Sequence, residues 1–93
     1  PICAVFKFKT EAAGIQQAND TPSGWAAYFY SDNIRRVQRV SEALEAGMIG
    51  INTGLISNAS APFGGVKMSG IGREGSKYGL DEYMEIKYLC YGN

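Results

Sequence analysis

A glycine-rich stretch constrains this chain more than any other feature of its sequence. Residues 62–79 read PFGGVKMSGIGREGSKYG, and six of these eighteen residues are glycine. Glycine adopts backbone conformations that other residues avoid, so this composition is typical of a shaped loop. We expect the residues before the loop to form a scaffold and the residues after it to form a terminal strand.

The composition is that of a folded chain without excess charge. The chain has 93 residues, of which 45% are hydrophobic, and nine basic residues balance nine acidic ones. This balance argues against a nucleic-acid partner and against electrostatic attachment to a membrane. No apolar run approaches the roughly 20 residues of a membrane-spanning helix. We therefore expect neither nucleic acid nor membrane among the partners.

The sequence offers little catalytic machinery of its own. It contains no histidine, which removes the commonest general base and the commonest metal ligand. Cys3 and Cys90 are too sparse for a disulfide framework and fit a reducing compartment, and no histidine is present to form their thiolates. We expect no metal site and no catalytic residue in these 93 residues.

The first fifty residues alternate between strand and helix patterns. Residues 2–8 form a continuous apolar run typical of a buried strand, which places the start of the chain inside an element and suggests a piece of a longer protein. Thr10 is a candidate N-cap of a helix that ends near residues 19–20. Residues 25–30, rich in aromatic side chains, are the predicted second strand.

A second helix and a third strand follow. Ser31 or Asp32 is expected to cap a helix whose apolar residues recur at steps of three and four, and Gly47 is the candidate C-cap. Residues 48–52 are the third strand. The order strand, helix, strand, helix, strand predicts an α/β fold with a parallel sheet, in which sites collect where strands end. Asn52 lies at such an end.

The last residues have the pattern of a strand without a local partner. Residues 83–91 alternate, after Glu85, between an apolar face and a polar or aromatic one, which is typical of a half-exposed antiparallel strand. Nothing nearby in the sequence is available to pair with it. Because open strand edges are usually covered by another element or subunit, we expect it to join a neighbour's sheet.

Three candidate sites leave alternatives open. Gly70, Gly72 and Gly75 match the dinucleotide motif G-x-G-x-x-G, but no buried strand precedes them, so a structural loop is favoured. Phe63, held between proline and two glycines, either fills a pocket made by other parts of the protein or covers a ligand. Ser57, with Asn58 beside it, either binds a carboxylate or caps the loop, and the spacing favours capping.

Taken in order, these motifs resemble the closing segment of the aldehyde dehydrogenase superfamily. The resemblance covers the whole chain and is carried by residues 18–24, 47–52, 62–74 and 78–83. Within the superfamily, residues 52–58, 75–78 and 85–90 are most similar to the succinate-semialdehyde dehydrogenases. Trp25, where leucine is common, and Gly14, where alanine is common, depart from the family pattern, and we expect them to alter local packing rather than the chemistry.

The resemblance implies an enzyme with a cofactor domain, a catalytic domain and a small oligomerisation sheet. In that family a cysteine thiolate attacks the aldehyde, hydride passes to NAD or NADP, and water activated by a glutamate hydrolyses the thioester, which turns succinate semialdehyde into succinate. Those residues and the dinucleotide site lie upstream in the family. Residues 1–82 would then be the end of the catalytic domain, and residues 83–93 a strand of the oligomerisation domain, with no activity and no bound cofactor alone.

The same resemblance implies roles for individual residues. Phe63 would flank the substrate and the nicotinamide, and Ser57 would help to hold the far carboxylate of succinate semialdehyde. Asn52, Gly64 and Gly65 would be structural residues near the active site. The residues that would pair with another subunit in a homo-oligomer are Ile86, Tyr88 and Cys90.

Two other functions stay open at this point. The segment could belong to an aldehyde dehydrogenase that acts on an uncharged aldehyde, or it could be an independently folding module for self-association. For the semialdehyde enzyme, the resemblance implies a role in GABA degradation in the cytoplasm, or in the mitochondrial matrix of a eukaryote.

Overall fold

The computed structural model describes residues 1–93 as an open α/β arrangement. The elements in chain order are α1 (Glu11–Asn19), β1 (Ser23–Gly24), β2 (Ala26–Phe29), α2 (Ile34–Ala43), β3 (Met48–Ile51), β4 (Val66–Lys67) and a 3₁₀ helix (Tyr78–Tyr83). The chain extends over 68 × 33 × 23 Å, with a radius of gyration of 17.8 Å. A compact domain of this length would have a radius of gyration of about 12 Å. The chain therefore does not close around a single core.

The centre of the fold is a parallel pair of strands. Strands β2 and β3 pair in register from Ala26 opposite Met48 to Phe29 opposite Ile51. Helix α2 connects them, as parallel strands require a crossover. This unit confirms the predicted second strand, second helix and third strand.

Helix α1 begins where the sequence predicts it to begin. The Thr10 side chain accepts a hydrogen bond from the Ala13 backbone N–H at 3.1 Å, so Thr10 is the N-cap. Gly14 makes room for the Phe8 ring, because a Cβ at this position would lie 2.9 Å from the ring. The departure from alanine at Gly14 is thus a matter of local packing. None of the helices has the length and apolar character needed to cross a membrane.

Both predicted caps of helix α2 are wrong. The N-cap is Asn33, whose side chain accepts from the Arg36 N–H at 3.0 Å, while the Ser31 hydroxyl accepts from the Asn33 N–H just before the helix. The C-cap is Leu44, whose N–H donates to the Val40 carbonyl. Gly47 lies beyond the helix and takes part in a close backbone contact instead.

An ion pair joins the two helices. The Glu11 carboxylate accepts hydrogen bonds from Arg39 at 3.0 Å and from Arg36 at 3.1 Å. The hydrogen bonds from Arg39 contribute most to lowering the pKa of Glu11 below its ordinary value, and Arg36 adds to the effect. Arg36 and Arg39 of α2 therefore face α1.

Two of the predicted strands are absent from the structure. Residues 2–8 and residues 84–93 form no strand and pair with no other segment, so neither is part of a sheet. The first strand of the predicted strand–helix–strand–helix–strand order is therefore not formed. Residues 84–93, predicted as most of the terminal strand, are unpaired. The physical reason is the lack of a partner, because a strand exists only through its ladder of hydrogen bonds.

A short antiparallel pair was not predicted. Strand β1 pairs with β4, with Ser23 opposite Lys67 and Gly24 opposite Val66. The Lys67 ammonium group donates to the Asn19 carbonyl at 2.9 Å and forms an ion pair with Glu45. These contacts hold the start of the glycine-rich loop against the end of α1.

Very few side chains of this chain are buried. Six residues are buried, and Met48, at 9% exposure, is the only one of them with a large apolar side chain, since the others are glycines. Large apolar side chains are exposed at both ends of the chain, among them Ile2, Val5, Phe6, Ile86, Leu89 and Tyr91. Because soluble proteins rarely expose so much contiguous apolar surface, these ends have the character of surfaces that are normally covered.

Candidate functional site

Phe63 is held from two directions. Its N–H donates to the Glu74 carbonyl at 2.8 Å, and its own carbonyl accepts from the Glu74 N–H at 2.7 Å, so the two residues form an isolated antiparallel bridge. The Phe63 ring meets the Trp25 ring edge-on, with the centroids 5.4 Å apart and the planes at 83°. The residue remains half-buried. The part of the ring that Trp25 leaves uncovered is available to a ligand or to another part of the protein.

Gly64 and Gly65 are buried because neighbouring groups lie against their backbones. A Cβ at Gly64 would lie 2.6 Å from the Gly72 carbonyl oxygen. A Cβ at Gly65 would lie 2.7 Å from the Ser69 Cβ and 3.0 Å from Cε3 of Trp25. Side chains are therefore excluded at both positions, and the backbone after Phe63 is fixed by close packing.

Arg73 ties the two arms of the glycine-rich loop together. Its Nη1 donates to the Gly65 carbonyl at 2.8 Å and to the Gly72 carbonyl at 2.7 Å. These bonds satisfy two carbonyls that the loop leaves without strand partners. The sequence pattern predicts neither these Arg73 hydrogen bonds nor the contact of Trp25 with Phe63. For Trp25, the available signal was its departure from the family pattern.

The loop that carries Ser57 is closed by its own side chains. Asn58 Oδ1 accepts from the Ser60 N–H at 2.8 Å, and the Asn58 carbonyl accepts from the Ala61 N–H at 3.1 Å. Earlier in the loop, Thr53 Oγ1 accepts from the Leu55 N–H at 3.2 Å. Asn58 thus caps the loop. Ser57 lies between these two turns, is exposed, and makes no side-chain hydrogen bond within the chain.

One short segment supports both Ser57 and Phe63. Residues 74–76 bond to Phe63 through Glu74 and to Ala59 through the Ser76 N–H, which donates to the Ala59 carbonyl at 2.9 Å. Gly75 lies between them with φ +66, and a Cβ there would be 3.2 Å from the Ala59 carbonyl oxygen. Glycine is the residue best suited to that approach. The loop of Ser57 and the loop of Phe63 are therefore anchored to the same piece of backbone.

Asn52 joins the carboxyl ends of the parallel strands. Its Oδ1 accepts from the Ser31 N–H at 2.8 Å, and its Nδ2 donates to the Ser31 carbonyl at 3.0 Å. Its backbone is in the left-handed region at φ 54, a conformation that asparagine tolerates better than most residues. The residue lies at the strand end, as the sequence predicts, and both polar atoms of its side chain are used in this contact.

The G-x-G-x-x-G motif lacks the surroundings of a dinucleotide site. Gly70, Gly72 and Gly75 all have positive φ, at 116, 84 and 66. The motif follows a two-residue antiparallel strand and leads into a six-residue 3₁₀ helix. A pyrophosphate site requires a parallel strand before the motif and the N-terminus of an α-helix after it. These residues therefore do not fit the pyrophosphate of NAD or NADP.

The residues assigned to subunit pairing are exposed. Ile86 and Tyr88 have little or no cover within the chain, and Cys90 is a free, exposed thiol. Hydrogen bonding to the Cys90 thiol raises the pKa of the Tyr88 phenol above its ordinary value. The segment that carries all three is exposed and forms no sheet of its own.

Comparison with known proteins identifies the family. The model of the aldehyde dehydrogenase family matches residues 1–89. The chain belongs to the aldehyde dehydrogenase family. Succinate-semialdehyde dehydrogenase [NADP(+)] from Escherichia coli is 63% identical over 92 residues, which are 99% of this chain and 19% of that protein. Glutarate-semialdehyde dehydrogenase from Pseudomonas aeruginosa has the same identity and coverage.

Solved aldehyde dehydrogenase structures contain the same fold. The crystal structure of succinate-semialdehyde dehydrogenase from Burkholderia pseudomallei superposes with a TM-score of 0.90 at 65% identity, covering 92% of this chain and 18% of that one. The betaine aldehyde dehydrogenase of Staphylococcus aureus superposes with a TM-score of 0.79 at 47% identity, covering 82% of this chain and 15% of that one. The chain spans about a fifth of the length of the curated relatives that it matches, 19% for the Escherichia coli enzyme.

Proposed function

We propose that this chain is the closing segment of an NAD(P)-dependent succinate-semialdehyde dehydrogenase, that it supplies one wall of the substrate pocket and a strand for subunit pairing, and that it is inactive alone. The observation that carries the pocket role is the joint anchoring of the Ser57 loop and the Phe63 loop on residues 74–76. Such anchoring keeps a hydroxyl donor and an aromatic surface at a fixed separation. A substrate with a carboxylate at one end and an aldehyde at the other needs that arrangement.

Each residue would act on a different end of the substrate. The Ser57 hydroxyl makes no hydrogen bond within the chain, so it can donate to a carboxylate oxygen without giving up another partner. The Phe63 ring would lie beside the aldehyde end of the substrate and flank the nicotinamide. Positive charge for the carboxylate would come from arginines outside these 93 residues. Both residues would bind and orient the substrate rather than exchange protons with it.

The cofactor would be held elsewhere in the full-length enzyme. NAD or NADP would accept the hydride, but the turns around Gly70 and Gly72 do not fit its pyrophosphate. We assign the dinucleotide domain, the cysteine nucleophile and the glutamate to residues outside this segment. The terminal residues 83–93 would form a strand of a homo-oligomer. The related proteins include bacterial and mitochondrial enzymes, which is consistent with either cytoplasm or mitochondrial matrix.

A glutarate-semialdehyde dehydrogenase is the second candidate. The Pseudomonas aeruginosa enzyme of that name is as similar to this chain as the Escherichia coli enzyme is. Glutarate semialdehyde is longer by one methylene group and carries the same terminal carboxylate. The role proposed for Ser57 is the same for both substrates, so relative kcat/KM values for the two semialdehydes would separate the candidates.

Replacing Ser57 by alanine in the full-length enzyme tests the carboxylate role. A hydrogen bond to a charged group contributes about 1.5–3 kcal/mol. We therefore expect kcat/KM for succinate semialdehyde to fall about 10- to 150-fold, mostly through a higher KM. For a neutral aldehyde of similar length the change in kcat/KM should stay below about twofold, because that substrate has no carboxylate for Ser57 to bind.

The control for this substitution is Ser60→Ala. Ser60 lies in the same loop and is also exposed, but only its backbone N–H takes part in a hydrogen bond. Its replacement should leave both substrates unaffected. Equal losses for the charged and the neutral aldehyde in Ser57→Ala would show that Ser57 has no carboxylate role and would favour an enzyme for uncharged aldehydes.

A further inference from the structure

Trp25 lies at the junction of the two small sheets. It follows β1 directly and precedes β2 directly, so the backbone on each side of it is held in a strand. The preceding residue, Gly24, is buried and held by hydrogen bonds at both of its backbone polar groups. Its N–H donates to Ser69 Oγ at 2.9 Å, and its carbonyl accepts from the Gly47 N–H at 3.0 Å. The position of the Trp25 backbone is therefore set by the scaffold.

The Trp25 ring rests on the glycine-rich loop. Gly65 offers it a flat surface, because a Cβ at Gly65 would come within 3.0 Å of Trp25 Cε3. From there the ring meets Phe63 edge-on at a centroid separation of 5.4 Å. Edge-to-face pairs of this kind favour one relative orientation of the two rings. Trp25 is thus in edge-to-face contact with Phe63.

We infer that Trp25 is a positioning residue for Phe63 and that it thereby influences how the aldehyde end of the substrate is held. This inference rests on the proposed role of Phe63 in the substrate pocket. Trp25 does not itself need to touch the substrate. The backbone of Phe63 is already fixed by Glu74, and Arg73 fixes the loop behind it, so the remaining freedom is the rotation of the ring. Trp25 restricts that rotation.

A double-mutant cycle in the full-length enzyme tests the inference. The variants are Trp25→Leu, Phe63→Ala and the two combined, with Trp25→Phe as the conservative variant that retains an aromatic edge. The interaction energy of an aromatic pair of this geometry corresponds to a change in kcat/KM of about 2- to 12-fold. We expect Trp25→Leu to lower kcat/KM for succinate semialdehyde within that range, and Trp25→Phe to restore most of the loss.

Measuring Trp25→Leu in the enzyme that already carries Phe63→Ala distinguishes an effect through Phe63 from a general loss of stability. If Trp25 acts through Phe63, adding Trp25→Leu to Phe63→Ala should change kcat/KM by less than about twofold, with all values normalised to titrated active sites. Equal effects of Trp25→Leu in both backgrounds would overturn the inference. If Phe63→Ala alone left kcat/KM unchanged, the proposed role of Phe63 would fail, and the inference about Trp25 would fail with it.

Discussion

Replacing Gly47 by alanine in the full-length enzyme is expected to destabilise it by about 3 kcal/mol, the upper end of the usual cost of overpacking. A Cβ at Gly47 would overlap the Gly64 carbonyl oxygen and lie 2.8 Å from the Gly65 Cα. Both neighbours are backbone atoms, so no side chain can rotate away to make room. The loss should appear as a lower denaturation temperature and as less soluble enzyme.

The matched control is the same substitution at Gly54. A Cβ at Gly54 would have nothing within 4 Å, and its φ lies outside the left-handed region. Gly54→Ala should therefore change stability by less than about 1 kcal/mol, and a small gain is allowed because alanine restricts the unfolded chain. Similar denaturation temperatures for the two variants would show that the contact between Gly47 and Gly64 is not rigid.

Replacing Ile86 by aspartate is expected to prevent subunit assembly in the full-length enzyme. Ile86 is fully exposed in this chain, in a segment that belongs to no sheet. If that segment pairs with a neighbouring subunit, the introduced carboxylate would lie unpaired in the interface, at a cost of about 3–5 kcal/mol. Sedimentation velocity at a fixed protein concentration should then show smaller species.

Lys87→Asp is the control for this prediction. Lys87 is the next residue, and alternation along a strand places it on the opposite face from Ile86. Its replacement introduces the same side chain into the same segment, and assembly should be retained. Loss of assembly in both variants would indicate a general effect of charge, and retention in both would contradict the assignment of Ile86 to an interface.

Local sequence signals predicted the elements that depend on local contacts. Thr10 caps α1 through a bond to a residue three positions later, and α2 with its flanking strands follows from apolar periodicity. The cap of α2 was missed because Ser31, Asp32 and Asn33 are all good capping residues, and only the backbone path selects Asn33. The family itself was recognisable from the glycine-rich loop and its neighbours.

What the sequence did not reveal depends on contacts between distant residues. The pairing of Gly24 with Val66 and the contact between Trp25 and Phe63 each join positions far apart in the chain. No local pattern encodes such pairs. Residues 2–8 show the opposite error: their composition is right for a buried strand, but no segment of these 93 residues pairs with them. Composition indicates that a segment is suited to a buried strand, but the strand forms only when a second strand is available to pair with it.

Thermal unfolding of the isolated 93-residue chain, followed by circular dichroism at low concentration, tests most directly whether this segment depends on a larger enzyme. With Met48 as the only large apolar side chain that is buried, the chain should lose its ellipticity gradually, without a cooperative transition. A sharp, reversible transition in a monomeric sample would contradict that dependence and would favour an independently folding module.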